Sequence, residues 1–133
     1  MIDVEAVIFS RVATVFDEKY PGGSRYGETT DSPSAFPCFT LVEADNYTYD
    51  ASLDSAHREH NAWLMYEVNV YSNKTVGAKQ ECKNVMELID GEMQSMGFTR
   101  QSCNQTRNAD NKIYRMTARY RGVISEDYRI YRK

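Results

Sequence analysis

Two histidines, three cysteines and a run of alternating arginines are the side chains best equipped for chemistry in this chain. His57 and His60 stand three apart with Glu59 between them, and on one helical turn both rings could hold a metal ion. No third ligand lies at an informative spacing and the segment has the composition of a loop, so neither a metal nor any other cofactor is expected. Cys38, Cys82 and Cys103 are an odd number without metal-ligand spacing and read as reduced thiols. A nucleophile needs a base beside it and a group to orient that base. Cys38 instead follows Pro37 at a strand start, Cys82 falls on the apolar stripe of a helix, and Cys103 has no histidine near it in sequence. Gly22-Gly23 reads as a helix stop, Asn73-Lys74-Thr75 lacks the glycines of a phosphate loop, and the carboxylates between 43 and 59 follow no calcium-loop pattern. The residues point away from an enzyme.

Arg115, Arg119 and Arg121 form a basic strip on one side of an alternating run from Lys112 to Ile124, with Arg129, Arg132 and Lys133 beyond it. Single-stranded nucleic acid would call for such a strip with aromatic rings beside it. The run's own aromatics, Tyr114 and Tyr120, fall on the opposite face with Met116, Ala118 and Ile124. Cross-strand pairing with an acid such as Glu67 is the ordinary explanation of the strip. Pairing with a neighbouring subunit is the sharper one. Its candidate partners are Asp45, Asp50 and Asp54, with Tyr47 and Tyr49, from the acidic 43–59 segment. The chain holds ten tyrosines, and Tyr and Arg are both enriched at protein interfaces.

The elements that must position these residues are legible from periodicity. Residues 63–71 alternate, with Leu64, Tyr66, Val68 and Val70 on one face, which predicts a strand over 63–72. Cys82, Val85, Met86, Ile89, Met93 and Met96 then recur at threes and fours, a helix that Gly97 ends. Residues 2–19 predict a first helix with Ile2, Ala6, Phe9, Ala13 and Phe16 on its stripe, widened by Val12 and Val15, and Tyr20-Pro21-Gly22-Gly23 as its stop. Cys38 to Glu43 reads as a short strand, Phe98 to about Gln105 as a weak polar one, and Asn108 to Asn111 as the turn before the 112–124 strand. Residues 128–133 either extend the sheet or hang free. The expected order is α-β-β-α-β-β: an α+β fold with a four-stranded, mainly antiparallel sheet and two helices packed on one face. Residues 1–133 are expected to form a single domain with long loops at 22–36 and 45–61.

Composition agrees with a folded chain, 41% hydrophobic and 26% charged. No apolar run approaches the roughly 20 residues of a membrane-spanning helix, so no membrane partner is expected. Asp3 and Glu5 stand where a secretory signal would carry basic residues, so no such signal is expected. The triplets at Asn46, Asn73 and Asn104 are then chance matches to a glycosylation motif. The net charge of −3 conceals a division: residues 1–61 carry four basic and eleven acidic side chains, residues 62–133 twelve basic and eight acidic. A polyanion-binding protein is more often basic throughout. Opposite charge in the two halves suits a molecule whose faces meet different protein surfaces.

Met65 through Lys74, Glu81-Cys82-Lys83, Met93 through Arg100 and Ile113 through Tyr120 resemble the small proteins of the head–tail module of tailed phages and prophages, most of all the tail terminator (tail-completion) proteins. The resemblance covers most of residues 37–133. It implies an α+β subunit that closes into a six-fold ring, caps the finished tail tube and joins the head connector. The partners implied are further copies of the chain, the tail tube protein and a head-completion or connector protein, with DNA at most passing through the ring. The implied location is the virion neck, after assembly in the host cytoplasm. Another neck role, head closure or minor capsid protein, remains an alternative, as does a small nucleic-acid-binding protein that uses the Arg115–Arg121 strip.

Overall fold

The computed structural model describes residues 4–28, 30, 33–48, 61–107, 112–125 and 130–131. Helix α1 spans Glu5–Lys19 and α2 Ala78–Ser95. The strands are β1 Ser24–Tyr26, β2 Cys38–Thr48, β3 Asn61–Ser72, β4 Thr99–Thr106, β5 Tyr114–Ser125 and β6 Ile130–Tyr131. They make one sheet in the order β1-β2-β3-β5-β4, with β6 also on β5. The α+β class and the two helices are as expected. The four expected strands form an antiparallel β2-β3-β5-β4 unit, but the sheet has six strands rather than four. One addition, β1, lies parallel to β2, with Ser24 opposite Cys38.

Alternation decides which face is covered. Phe39 and Leu41 of β2, Leu64, Tyr66, Val68 and Val70 of β3, and Met116, Ala118 and Tyr120 of β5 are buried in one core with the apolar stripes of both helices. The α2 stripe is the expected one: Cys82, Val85, Met86, Ile89 and Met93 are all buried. Gly97, at φ 90°, ends that helix by supplying the left-handed turn that other residues rarely adopt. There the Phe98 N–H bonds to the Met93 carbonyl (3.1 Å) and the Gly97 N–H to that of Gln94 (2.9 Å). Phe98 then lies edge-on to Tyr66 at 5.5 Å. A Cβ on Gly122 would come within 2.7 Å of the Phe98 ring, so only glycine leaves room for this packing.

The stripe of α1 is rotated from expectation. Ile8, Val12, Ala13 and Phe16 are buried, with Val4 just before them, whereas Ala6 is exposed and Val15 half-buried. Apolar residues occur at so many positions of this helix that spacing alone admits more than one stripe. The sheet selects among them: Phe39 sits 4.8 Å from Phe16 and 5.6 Å from Phe9.

Both expected loops are shorter than the sequence implied. β1 occupies part of 22–36, held by pairing to β2 and by a hydrogen bond from Ser24 Oγ to the Ala35 carbonyl (2.6 Å). β2 does not stop at Glu43. It passes through an irregularity between Glu43 and Asp45 and pairs with β3 up to Thr48. The rest of the 45–61 segment, with His57 and His60, lies outside the described residues, as does the 108–111 turn.

Candidate functional site

Alternation along β5 carries Arg115, Thr117, Arg119 and Arg121 to the face away from the helices, as the sequence indicated. Register then decides what they meet. Tyr71, Asn69, Glu67 and Met65 of β3 stand opposite them in that order. Arg119 Nη2 lies 3.3 Å from Glu67 Oε1. The Arg115 Nε–H donates to Asn69 Oδ1 (2.9 Å), and its guanidinium sits 5.5 Å from the Tyr71 ring. Arg121 stacks 4.0 Å over Trp63. Contacts across the strands, the ordinary explanation of the strip, therefore engage all three arginines within the domain. The Arg119–Glu67 pair is worth about 0–1 kcal/mol, since the arginine is 54% exposed.

Beneath the arginines lies a polar seam. Thr106 Oγ1 donates to Thr117 Oγ1, and Thr117 Oγ1 to Asn69 Oδ1, both at 2.6 Å. Asn69 is fully buried, and its Nδ2 has no partner among the described residues. Tyr71 is equally buried. Desolvation raises its hydroxyl pKa, and the nearby Arg115 charge opposes the rise. Next to the seam, Glu67, Ser102, Asn104, Thr106, Arg115, Thr117 and Arg119 line a polar trough of about 320 Å³.

Of the expected acidic partners, Asp45 is exposed on β2, in register with Met65, which in turn faces Arg121. Its Oδ1 accepts the Asn46 N–H (2.8 Å). Tyr47 lies in β2 opposite Trp63. Tyr49, Asp50 and Asp54 lie outside the described residues. Sequence reasoning missed Trp63 and Asn69 as partners of the arginines. Alternation had already placed Asn69 on the correct face, and only the β3–β5 register was lacking.

An open cleft of about 930 Å³ lies at one end of the sheet. Phe36, Ile113 and Tyr114 contribute apolar walls, and Asn73, Lys74 and Gln105 a polar rim. Lys74 is paired with Glu81 at 3.1 Å. Among the described residues no three His, Cys, Asp or Glu side chains are grouped to hold a metal ion, and no helix is long and apolar enough to cross a membrane.

The cysteines divide by exposure. Cys38 and Cys82 are fully buried, and desolvation pushes their thiols up to about 11 and about 12. Cys103 is exposed. In the folded protein at neutral pH, Cys103 alone should react with an aromatic disulfide reagent. The other two should react only after unfolding, because a buried neutral thiol is a poor nucleophile. Absorbance of the released thiolate counts the reactive groups, and two or three rapid equivalents would contradict the burial.

No protein-family model matches the chain, and a search of curated proteins finds no significant match.

Proposed function

We propose that this chain is a ring-forming structural subunit of a tailed-phage neck, a tail terminator that caps the tail tube and joins it to the head connector. The observation that carries the reading is the placement of charge. The acidic half of the sequence supplies α1, β1 and β2, and the basic half supplies β4 and β5. The strand order β1-β2-β3-β5-β4 turns that division along the chain into a separation across the sheet. Glu43 and Asp45 of β2 lie on one side of the central β3, where Arg25 of β1 is paired with Asp17, and Arg100 and Arg107 at β4 with Arg119 of β5 lie on the other. A ring is closed by heterologous contacts, in which one patch complements a different patch on the next copy. Opposite flanks of opposite sign meet that requirement. The resemblance of the β3, α2 and β5 segments to tail terminators supplies the specific role. Nucleic-acid binding through the strip is less favoured, because Arg121 covers the Trp63 ring on which a base would stack and Tyr71 is buried.

Light scattering coupled to size exclusion tests the reading. The wild-type chain should elute as an oligomer, six-fold in the tail-terminator case, rather than at its 15.3 kDa monomer mass. Arg107→Glu/Arg119→Glu should raise the dissociation concentration by about tenfold or more, through like charges set against the acidic flank. Both side chains are exposed, so circular dichroism should be unchanged. A wild-type monomer at high concentration, or a variant that assembles normally, would remove the ring reading.

A further inference from the structure

The two edges of the sheet are built differently. At the β2 edge, β1 covers Cys38 to Thr40, an irregularity follows between Glu43 and Asp45, and the Glu43 N–H donates to Glu5 Oε2 of α1 (2.6 Å). Short flanking strands, bulges and side-chain caps are the devices by which proteins guard an edge against adding another strand. The β4 edge carries little of this protection. No described strand lies beyond it, and every side chain from Thr99 to Gln105 is exposed. It holds no proline and no lysine, only one charge (Arg100) and one irregularity, between Arg100 and Ser102. One side of its backbone therefore offers unpaired N–H and C=O groups over eight residues.

Beside this edge lies the polar trough. Ser102, Asn104 and Thr106 are small residues on one face of β4. Behind them Arg119 stands opposite Ser102 and Arg115 opposite Thr106. Two cations and one carboxylate, Glu67, line this space. A strand added to β4 would hang alternate side chains over the trough.

We propose that Thr99–Thr106 is a docking edge that takes an extended segment of a partner protein as an additional strand, with acidic residues at alternate positions set over the Arg115–Arg119 trough. Main-chain hydrogen bonds supply the adhesion in this mode of recognition, and the side chains on one face supply the selection. Acids placed four apart would fall beside Ser102 and Thr106, one near each arginine. The inference does not rest on the ring reading, although it uses the same flank and Arg119: on a single copy the edge is open to the segment, and in a ring the segment competes with the acidic flank of the next copy.

Three labelled eight-residue peptides test it by fluorescence anisotropy with the full chain: alternating Glu and Thr, alternating Lys and Thr, and the Glu peptide with a central Pro. The Glu peptide should bind at least about tenfold more tightly than either of the others. Proline removes a ladder hydrogen bond, and lysine opposes the trough. Arg119→Gln should weaken the Glu peptide severalfold. Amide exchange should slow across residues 99–106 when that peptide is bound. Equal binding of the Glu and Lys peptides, binding without protection of 99–106, or no binding by any peptide would each overturn the proposal. Self-association through β4 that the Glu peptide does not displace would overturn it as well. Oligomer mass, measured separately, keeps this result distinct from a failure of the ring.

Discussion

Phe39→Ala should destabilise the domain by about 3–5 kcal/mol, the range for removing a large ring from a packed core. Phe39 is fully buried on β2, and its ring is held by Phe9 and Phe16, two residues of α1 one helical stretch apart. Truncation leaves a cavity at the main contact between that helix and the sheet. Domains of this size carry about 5–15 kcal/mol in total, so the loss would consume a large share of the stability. With a urea slope of about 1–3 kcal/mol per molar, the midpoint should fall by more than about 1 M. Val7→Ala, on the same helix but 52% exposed, should change stability by less than about 0.5 kcal/mol. Equal midpoint shifts for the two variants would mean that α1 does not dock on β2 through this face.

Alkaline pH should weaken the fold steeply. Cys38, Cys82 and Tyr120 are all fully buried. Burial pushes the two thiols from 9.0 up to about 11 and about 12. The Tyr120 hydroxyl is raised as well, first by desolvation and then by its hydrogen bond to Asp90 (2.8 Å) and the nearby carboxylate charge. Each of these groups is neutral when protonated. In the unfolded chain each loses its proton near its ordinary value, while the folded chain still holds it. The unfolded state therefore binds fewer protons above about pH 9, and stability falls as pH rises. The contribution is complete below the unfolded values and is lost through the window up to the folded ones. Each group that is ionised only when unfolded costs about 1.4 kcal/mol per pH unit, so two thiols and then a phenol should remove several kcal/mol by pH 11. Urea midpoints at pH 7, 9, 10 and 11 measure the slope, and Cys82→Ala should flatten it. A wild-type midpoint that stays level to pH 11 would contradict burial of these protons.

The readable parts of the sequence were those where one face of an element is buried without interruption. β3 alternates over its length, and α2 keeps one stripe from Cys82 to Met93, so each fixes its own type and its own inner face. β1 has three residues, too few to show a period, and it exists only because β2 lies beside it. The Asp45-Asn46 stretch reads as the start of a polar loop, yet β3 holds it as a strand by pairing Met65 with Asp45 and Leu64 with Asn46. Tertiary context overrides local preference in both places. The candidate site shows the same limit. Alternation placed the arginines on the correct face, but whether Glu67 or a neighbouring molecule meets Arg119 depends on register, and register is set by pairing across distant parts of the chain.

The position of β3 between β2 and β5 also bears on how the chain reaches its fold. Residues 49–60 lie between β2 and β3, whereas residues 73–113, including all of α2 and β4, lie between the paired ends of β3 and β5. Joining the second pair closes a loop of about forty residues rather than about a dozen, at an extra entropic cost of about 1 kcal/mol before any contact offsets it. The two sides of the central strand are therefore unequal kinetically. β2 can collect β3 as a neighbour in sequence, while β5 must be recruited from afar, once α2 has folded back to shorten the distance. Pairing over that separation places the chain among the mixed-topology domains, which fold more slowly than helical bundles.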